Sequence, residues 1–197
     1  MKKRLTAIAV ATMLLAPSAL QAKVQHLLPK PQQIIATENV AAFTLGGSVT
    51  INYSGGAERC ALLEEFFTSN GCTLAESGGS AVNVTLVESI EGAYDYKLYG
   101  YENEAYTLDV TANGIAITAV TPTGIIRAAQ TLTQMAEGWD GAAALEAVSV
   151  KDWPAFKLRG YMHDVGRSFI SIDELVKQVE LFSRFKVNTF HWHMTEN

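Results

Sequence analysis

The stretch that most constrains the fold is the last forty or so residues, about a fifth of the 197-residue chain. It reads Leu158-Arg-Gly-Tyr-Met-His-Asp-Val165 as a strand, an amphipathic run as a helix, and Val187-Asn-Thr-Phe-His-Trp-His-Met-Thr195 as a second strand. A helix between two neighbouring strands carries the chain back to the start of the sheet, so the pair is expected to run parallel. The helix is marked at its cap and along its face. Ser171 and Glu174 have the spacing of a capping box, and Ile172, Leu175, Val176, Val179 and Phe182 form one apolar stripe. In the second strand Val187, Thr189, His191, His193 and Thr195 share one face, with Asn188, Phe190, Trp192 and Met194 on the other. An aromatic face toward helices and a more polar face inward is the pattern of an enzyme barrel, whose chemistry sits at the C-terminal ends of the strands.

The start of the chain points to export. Met1-Lys-Lys-Arg4 is a positive n-region, and Leu5 to Ala16 is an apolar run of h-region length. That run is shorter than the roughly 20 residues a spanning helix needs. Cleavage after Ala22 is expected, which makes 1–22 a signal peptide and the mature protein periplasmic or secreted, with no membrane span. No cysteine lies near the cleavage site, which argues against a lipid anchor. The two cysteines are Cys60 and Cys72. An oxidising compartment would let them pair, but two buried, unpaired thiols are the expectation. The net charge of −5 leaves no basic footprint, so nucleic acid is not expected as a partner.

From Lys23 to about Lys151 strand and helix signals alternate. Phe43-Thr-Leu45 and Val49-Thr-Ile51 read as short strands broken by Gly46-Gly47, and Ala57 to Ser69 as a helix that Asn70-Gly71 ends. Ala81 to Val87 alternates as a strand. Tyr106 to Val110 and Ile115 to Ala119 flank Asn113-Gly114 as a hairpin. Thr121-Pro122 opens a second helix lined by Ile125, Ile126, Ala129, Leu132 and Ala136, which Gly138 ends. Leu145 to Val150 is a last strand before the boundary at Asp152-Trp153-Pro154. The expected fold is an α+β domain, an antiparallel sheet with helices on one face. Its carboxylates Glu64, Glu65, Glu102 and Glu104 read as solvated surface. Tyr94, Tyr96, Tyr99 and Tyr101 suit hairpin or loop packing better than a sugar-stacking stripe.

Arg159-Gly-x-x-x-Asp164-x-x-Arg167, followed by Asn188-x-Phe-His-Trp-His-Met-Thr, resembles the opening of the catalytic barrel of glycoside hydrolase family 20. The domain at 23–151 resembles the α+β domain that usually precedes that barrel, in a supporting role. The resemblance implies a β-N-acetylhexosaminidase with a (β/α)8 fold, acting on terminal N-acetylglucosamine or N-acetylgalactosamine of a glycan without metal or organic cofactor. Such a barrel needs about 250 residues, so 152–197 is expected to hold only its truncated start, one strand–helix–strand unit. The family's adjacent Asp-Glu pair is then expected further along. Asp173-Glu174 is the chain's Asp-Glu dipeptide and opens a helix at its cap, so no catalytic residue is assigned here. The fragment itself is expected to be inactive.

The candidate site residues lie at the mouth of the expected barrel. Arg167 follows the first strand and offers a rigid fork of donors, suited to adjacent sugar hydroxyls. The resemblance matches it to the arginine that binds the non-reducing-end sugar, and an ion pair with Asp164 is the structural alternative. Glu196 stands where the family has the first of two aspartates, the one that supports the general acid. Here the pair reads Glu196-Asn197, with the charge on a longer arm. Ser168 stands where the family commonly has histidine. Arg159, at the start of the strand, and His163 read as structural. His191 and His193 suit barrel packing and hydrogen bonding. The alternative is a metal-dependent amidohydrolase using that pair, although a zinc site needs three protein ligands. A sugar-binding barrel without turnover is the third reading.

Overall fold

The computed structural model describes residues 26–36, 43–93, 103–136 and 144–195. The expected signal peptide, the tyrosine group at 94–101, Glu102, Gly138, Glu196 and Asn197 lie outside them. A seven-stranded sheet carries the first region. Its strands are β1 (Gln33–Ala36), β3 (Ser48–Ser54), β4 (Thr73–Leu74), β5 (Ser80–Leu86), β6 (Tyr106–Thr111), β7 (Gly114–Ala119) and β9 (Val148–Asp152), in the order β1-β9-β6-β7-β5-β3-β4. A small second pair joins β2 (Phe43–Thr44) to β8 (Ala144–Leu145).

The sheet is mixed, which corrects the expectation of an antiparallel one. β1, β9, β6 and β7 pair antiparallel, whereas β7 with β5, β5 with β3 and β3 with β4 are parallel. For β3 with β4 and β5 the reason is the helix α1 (Ala61–Ser69), a crossover that returns the chain in the same direction. α1 is shorter than expected and starts after Cys60, whose side chain makes no capping bond; it ends as expected, with Asn70 as cap and Gly71 at φ +75°. The hairpin closes over Ala112-Asn113, and Thr111 pairs with Gly114 inside the ladder. Gly114 is needed for proximity rather than for the turn: a Cβ there would lie 2.5 Å from the Ala81 carbonyl oxygen on β5.

α1 and α2 (Pro122–Ala136) pack together over the sheet. Val82, Val84, Leu108, Ile117 and Val150 from the strands meet Leu63, Phe67, Ile125 and Leu132 from the helices, all essentially excluded from water. Ala128 takes the core position expected of Ile126, which is 36% exposed. Both cysteines are buried and unpaired; the Cys72 sulfur accepts the Gly46 N–H.

Residues 160–193 form the second region: β10 (Gly160–Asp164), α3 (Ile172–Arg184) and β11 (Thr189–His193), with β10 and β11 parallel as expected. Ser171 caps α3 by accepting the Glu174 N–H at 3.3 Å. The Glu174 carboxylate turns outward to Lys177. At the other end the Lys186 and Val187 N–H groups bond the Ser183 and Phe182 carbonyls, a Schellman closure. Lys186 occupies its left-handed position at φ +61°, where glycine is usual.

That lysine has a reason to be there. Its ammonium is buried and bonds Asp152 Oδ2 at 2.8 Å and the Tyr106 hydroxyl at 2.9 Å, both in the first region. Burial pulls its pKa down, while Asp152 opposes the shift. A second buried cluster lies beside it. Glu104 accepts from Arg127 of α2 and from Arg159, and its other oxygen faces the Asn188 amide at 3.4 Å. Arg159 also donates to the Lys186 and Phe156 carbonyls, and its N–H reaches Asn188 Oδ1 at 2.9 Å. Arg159 precedes β10 and Asn188 precedes β11, so one carboxylate from the first region ties down the starts of both parallel strands. Glu104 is thus not a solvated surface group, as the sequence suggested, but 6% exposed.

Candidate functional site

The opposite, C-terminal ends of β10 and β11 carry the candidate residues. Side-chain parity sets the two faces. Tyr161 packs against Phe182 of α3 with ring centroids 4.3 Å apart and planes tilted by 40°, and it lies nearly parallel to Phe190 at 6.2 Å, so this is the helix-facing side. His163 is on the same side and faces the Tyr161 hydroxyl at 3.1 Å, consistent with packing. Gly160, Met162 and Asp164 then share the other face with Thr189, His191 and His193, in the register Met162↔His191 and Asp164↔His193.

Asp164 is the centre of this face. Its Oδ1 lies 3.1 Å from His193 Nδ1 and accepts the Gly166 N–H at 3.0 Å and the Arg167 N–H at 3.2 Å. Its Oδ2 is 3.5 Å from Arg167 Nε. The His193 bond, helped by those backbone donors, holds the Asp164 carboxyl below the usual aspartate range. Arg167 therefore follows the strand as expected, with its side chain 75% exposed just beyond the end of β10 and its guanidinium beside Asp164. The ion pair named as the structural alternative is thus present, at Nε.

His191 and His193 do share a face, with ring centroids 6.3 Å apart. His193 Nδ1 is engaged by Asp164, an acidic neighbour the sequence reading did not place. Among the described residues no three His, Cys, Asp or Glu side chains gather as a metal-ligand set. The arrangement offers hydrogen-bond donors and one carboxylate, not the two flanking carboxylates of glycoside hydrolysis. Asp164 was missed as an organising residue because the sequence gives its parity but not its cross-strand partner. An in-register parallel pairing of Gly160 with Thr189 would have revealed it.

A mixed-sheet α+β region is followed by a parallel strand–helix–strand unit with polar groups at the C-terminal ends of its strands. Residues 24–153 match glycosyl hydrolase family 20, domain 2, and residues 156–197 match the catalytic domain of that family. The chain belongs to glycosyl hydrolase family 20. It is 30% identical over 185 residues to a β-hexosaminidase of Coccidioides posadasii, covering 91% of this chain and 30% of that protein. It is 29% identical over 183 residues to a β-hexosaminidase of Porphyromonas gingivalis, covering 87% of this chain and 23% of the relative. Among solved structures, an exo-β-N-acetylglucosaminidase of Vibrio harveyi in complex with N-acetylglucosamine superposes with TM-score 0.66 at 25% identity, over 88% of this chain and 26% of that one. The chain thus spans about a quarter to a third of the length of these relatives.

Proposed function

We propose that the full-length protein is an exported β-N-acetylhexosaminidase that removes terminal N-acetylglucosamine or N-acetylgalactosamine from glycans. Residues 23–151 brace a (β/α)8 barrel that 152–197 opens, and 1–22 direct export. Arg167 grips hydroxyls of the terminal sugar, and Glu196 supports the general acid. An adjacent Asp-Glu pair on a later strand supplies that acid and orients the substrate's own 2-acetamido oxygen as nucleophile. The observation that carries the reading is the placement of Arg167 at the strand mouth in a chain matched to the family along nearly its whole length. It is supported by relatives named β-hexosaminidases and by a solved relative that holds N-acetylglucosamine.

The test is kinetic. The full-length protein should cleave a chromogenic β-N-acetylglucosaminide and nearly fail on the β-glucoside, because removing the acetamido group removes the nucleophile. Thiazoline mimics of the cyclised intermediate should inhibit far better than the free sugar. Comparable kcat/KM on the two glycosides would reject the mechanism. Arg167→Ala should cost about 2–4 kcal/mol in kcat/KM, roughly 30- to 1,000-fold, with the melting temperature little changed. Arg167→Lys should restore little of it, since the planar fork is lost.

A further inference from the structure

We propose that Asp164 is a positioning residue of the sugar site, holding Arg167 and His193 in their binding geometry through one shared carboxylate. The proposal rests on the reading of Arg167 as the sugar-binding group. Asp164 closes the cross-strand pair at the end of β10, directly opposite His193. It makes three distinct kinds of contact. Its Oδ1 caps the turn that leaves the strand by accepting the Gly166 and Arg167 N–H groups. The same oxygen meets His193 Nδ1, and Oδ2 faces Arg167 Nε.

Each contact has a chemical consequence for recognition. The turn fixes where the Arg167 backbone leaves β10, and the pairing at Nε orients the guanidinium about its long axis. An arginine side chain alone is costly to order, and a held fork loses less entropy on binding. At His193, a carboxylate at Nδ1 selects the tautomer with the proton on Nδ1, which leaves Nε2 of the neutral ring as an acceptor. A sugar hydroxyl is both donor and acceptor. An arginine that donates and an imidazole that accepts form a complementary pair for such groups, and Asp164 sets both. His193, and after it the turn amides, favour the ionised form of the Asp164 carboxyl, as the role requires.

Asp164→Asn separates the parts, because its amide oxygen can still accept the Gly166 and Arg167 N–H groups and the His193 Nδ1–H, while an amide nitrogen replaces the oxygen that faces Arg167 Nε and the charge is lost. In this chain, NMR should show unchanged exchange at the Arg167 backbone amide. The Arg167 Nε proton should exchange about five- to tenfold faster, and Asp164→Leu, which removes the acceptor as well, should shift His193 from the Nδ1–H tautomer toward a mixture. Wild-type behaviour at both Nε and the imidazole would overturn the proposal, whatever the enzyme does. In the full-length protein, Asp164→Asn should raise KM for the chromogenic β-N-acetylglucosaminide about tenfold at unchanged melting temperature. It should cost little more in an Arg167→Ala background. Full additivity of the two losses, or a fall in melting temperature with no change in KM, would make Asp164 merely structural and overturn the proposal. If the wild-type protein turns over no β-N-acetylglucosaminide, the proposed function fails, and the NMR measurements still decide the role of Asp164.

Discussion

The two regions of the molecule obey the same local rules and reach opposite degrees of closure. In the first region the apolar stripes of α1 and α2 both land on a sheet, and Leu63, Phe67, Ile125 and Leu132 are essentially buried. In the second region the stripe of α3 is equally regular, yet Leu175 alone is buried; Ile172, Val176 and Val179 are 59%, 49% and 42% exposed. Trp192 and Met194 of the following segment are 41% and 60% exposed. What fixes the second region is polar contact with the first: Glu104 and Asp152 receive Arg159 and Lys186, and Gln134 of α2 donates to the Arg184 carbonyl at the end of α3. Periodicity tells which side of a helix wants cover; it does not tell how much cover is present. The difference also shows that polar groups can dock a unit whose apolar faces remain largely open.

The sharpest way to break that comparison is Glu104→Ala. It would strand Arg127 and Arg159, whose side chains are 10% and 14% exposed, in a buried seat. Loss of one partner of a buried charge cluster costs about 3–5 kcal/mol, and here it should fall on the junction. Hydrogen exchange should speed up across β10, α3 and β11 before it does in β6 and β7. Equal protection loss in both regions would mean that the cluster stabilises the sheet generally and does not dock the unit.

Truncating matched apolar residues tests the other half. Leu132→Ala should cost about 2–5 kcal/mol by chemical denaturation, because it opens a cavity in a packed core. Ile172→Ala should change stability by no more than about 0.5 kcal/mol in this chain. A large loss at Ile172 would show that the α3 stripe is covered in solution.

The smallest expected effect concerns Asp164. With its folded-state pKa held below the usual value, it favours the folded turn above the ordinary carboxylate pKa of about 4. That contribution is lost as the pH falls through the depressed value. A carbon-13 titration of the carboxyl should give a midpoint below that of an ordinary aspartate. His193→Ala should move the midpoint back up, since the His193 bond is the largest cause. A wild-type midpoint at or above the ordinary value would contradict the paired geometry.

Much of the chain is determined locally. The Ser171 cap, the α3 stripe, the Asn70-Gly71 stop, the alternating strands and the parallel strand–helix–strand unit all follow from spacing and side-chain type, because the groups concerned lie within a turn or two of one another. The position of Arg167 after β10 is equally local. What only the tertiary structure decided are pairings between distant residues. The mixed order of the sheet was one, since strand neighbours depend on which crossover each helix makes. Glu104 was another: in sequence it is a glutamate among polar residues, and burial came from Arg127, 23 positions on, and Arg159, 55 positions on. Lys186 in a position suited to glycine looks like a flaw until Asp152 and Tyr106 arrive from 34 and 80 positions away. Charge pairing depends on distance in space, and the sequence sets that distance only where the chain between the partners is short.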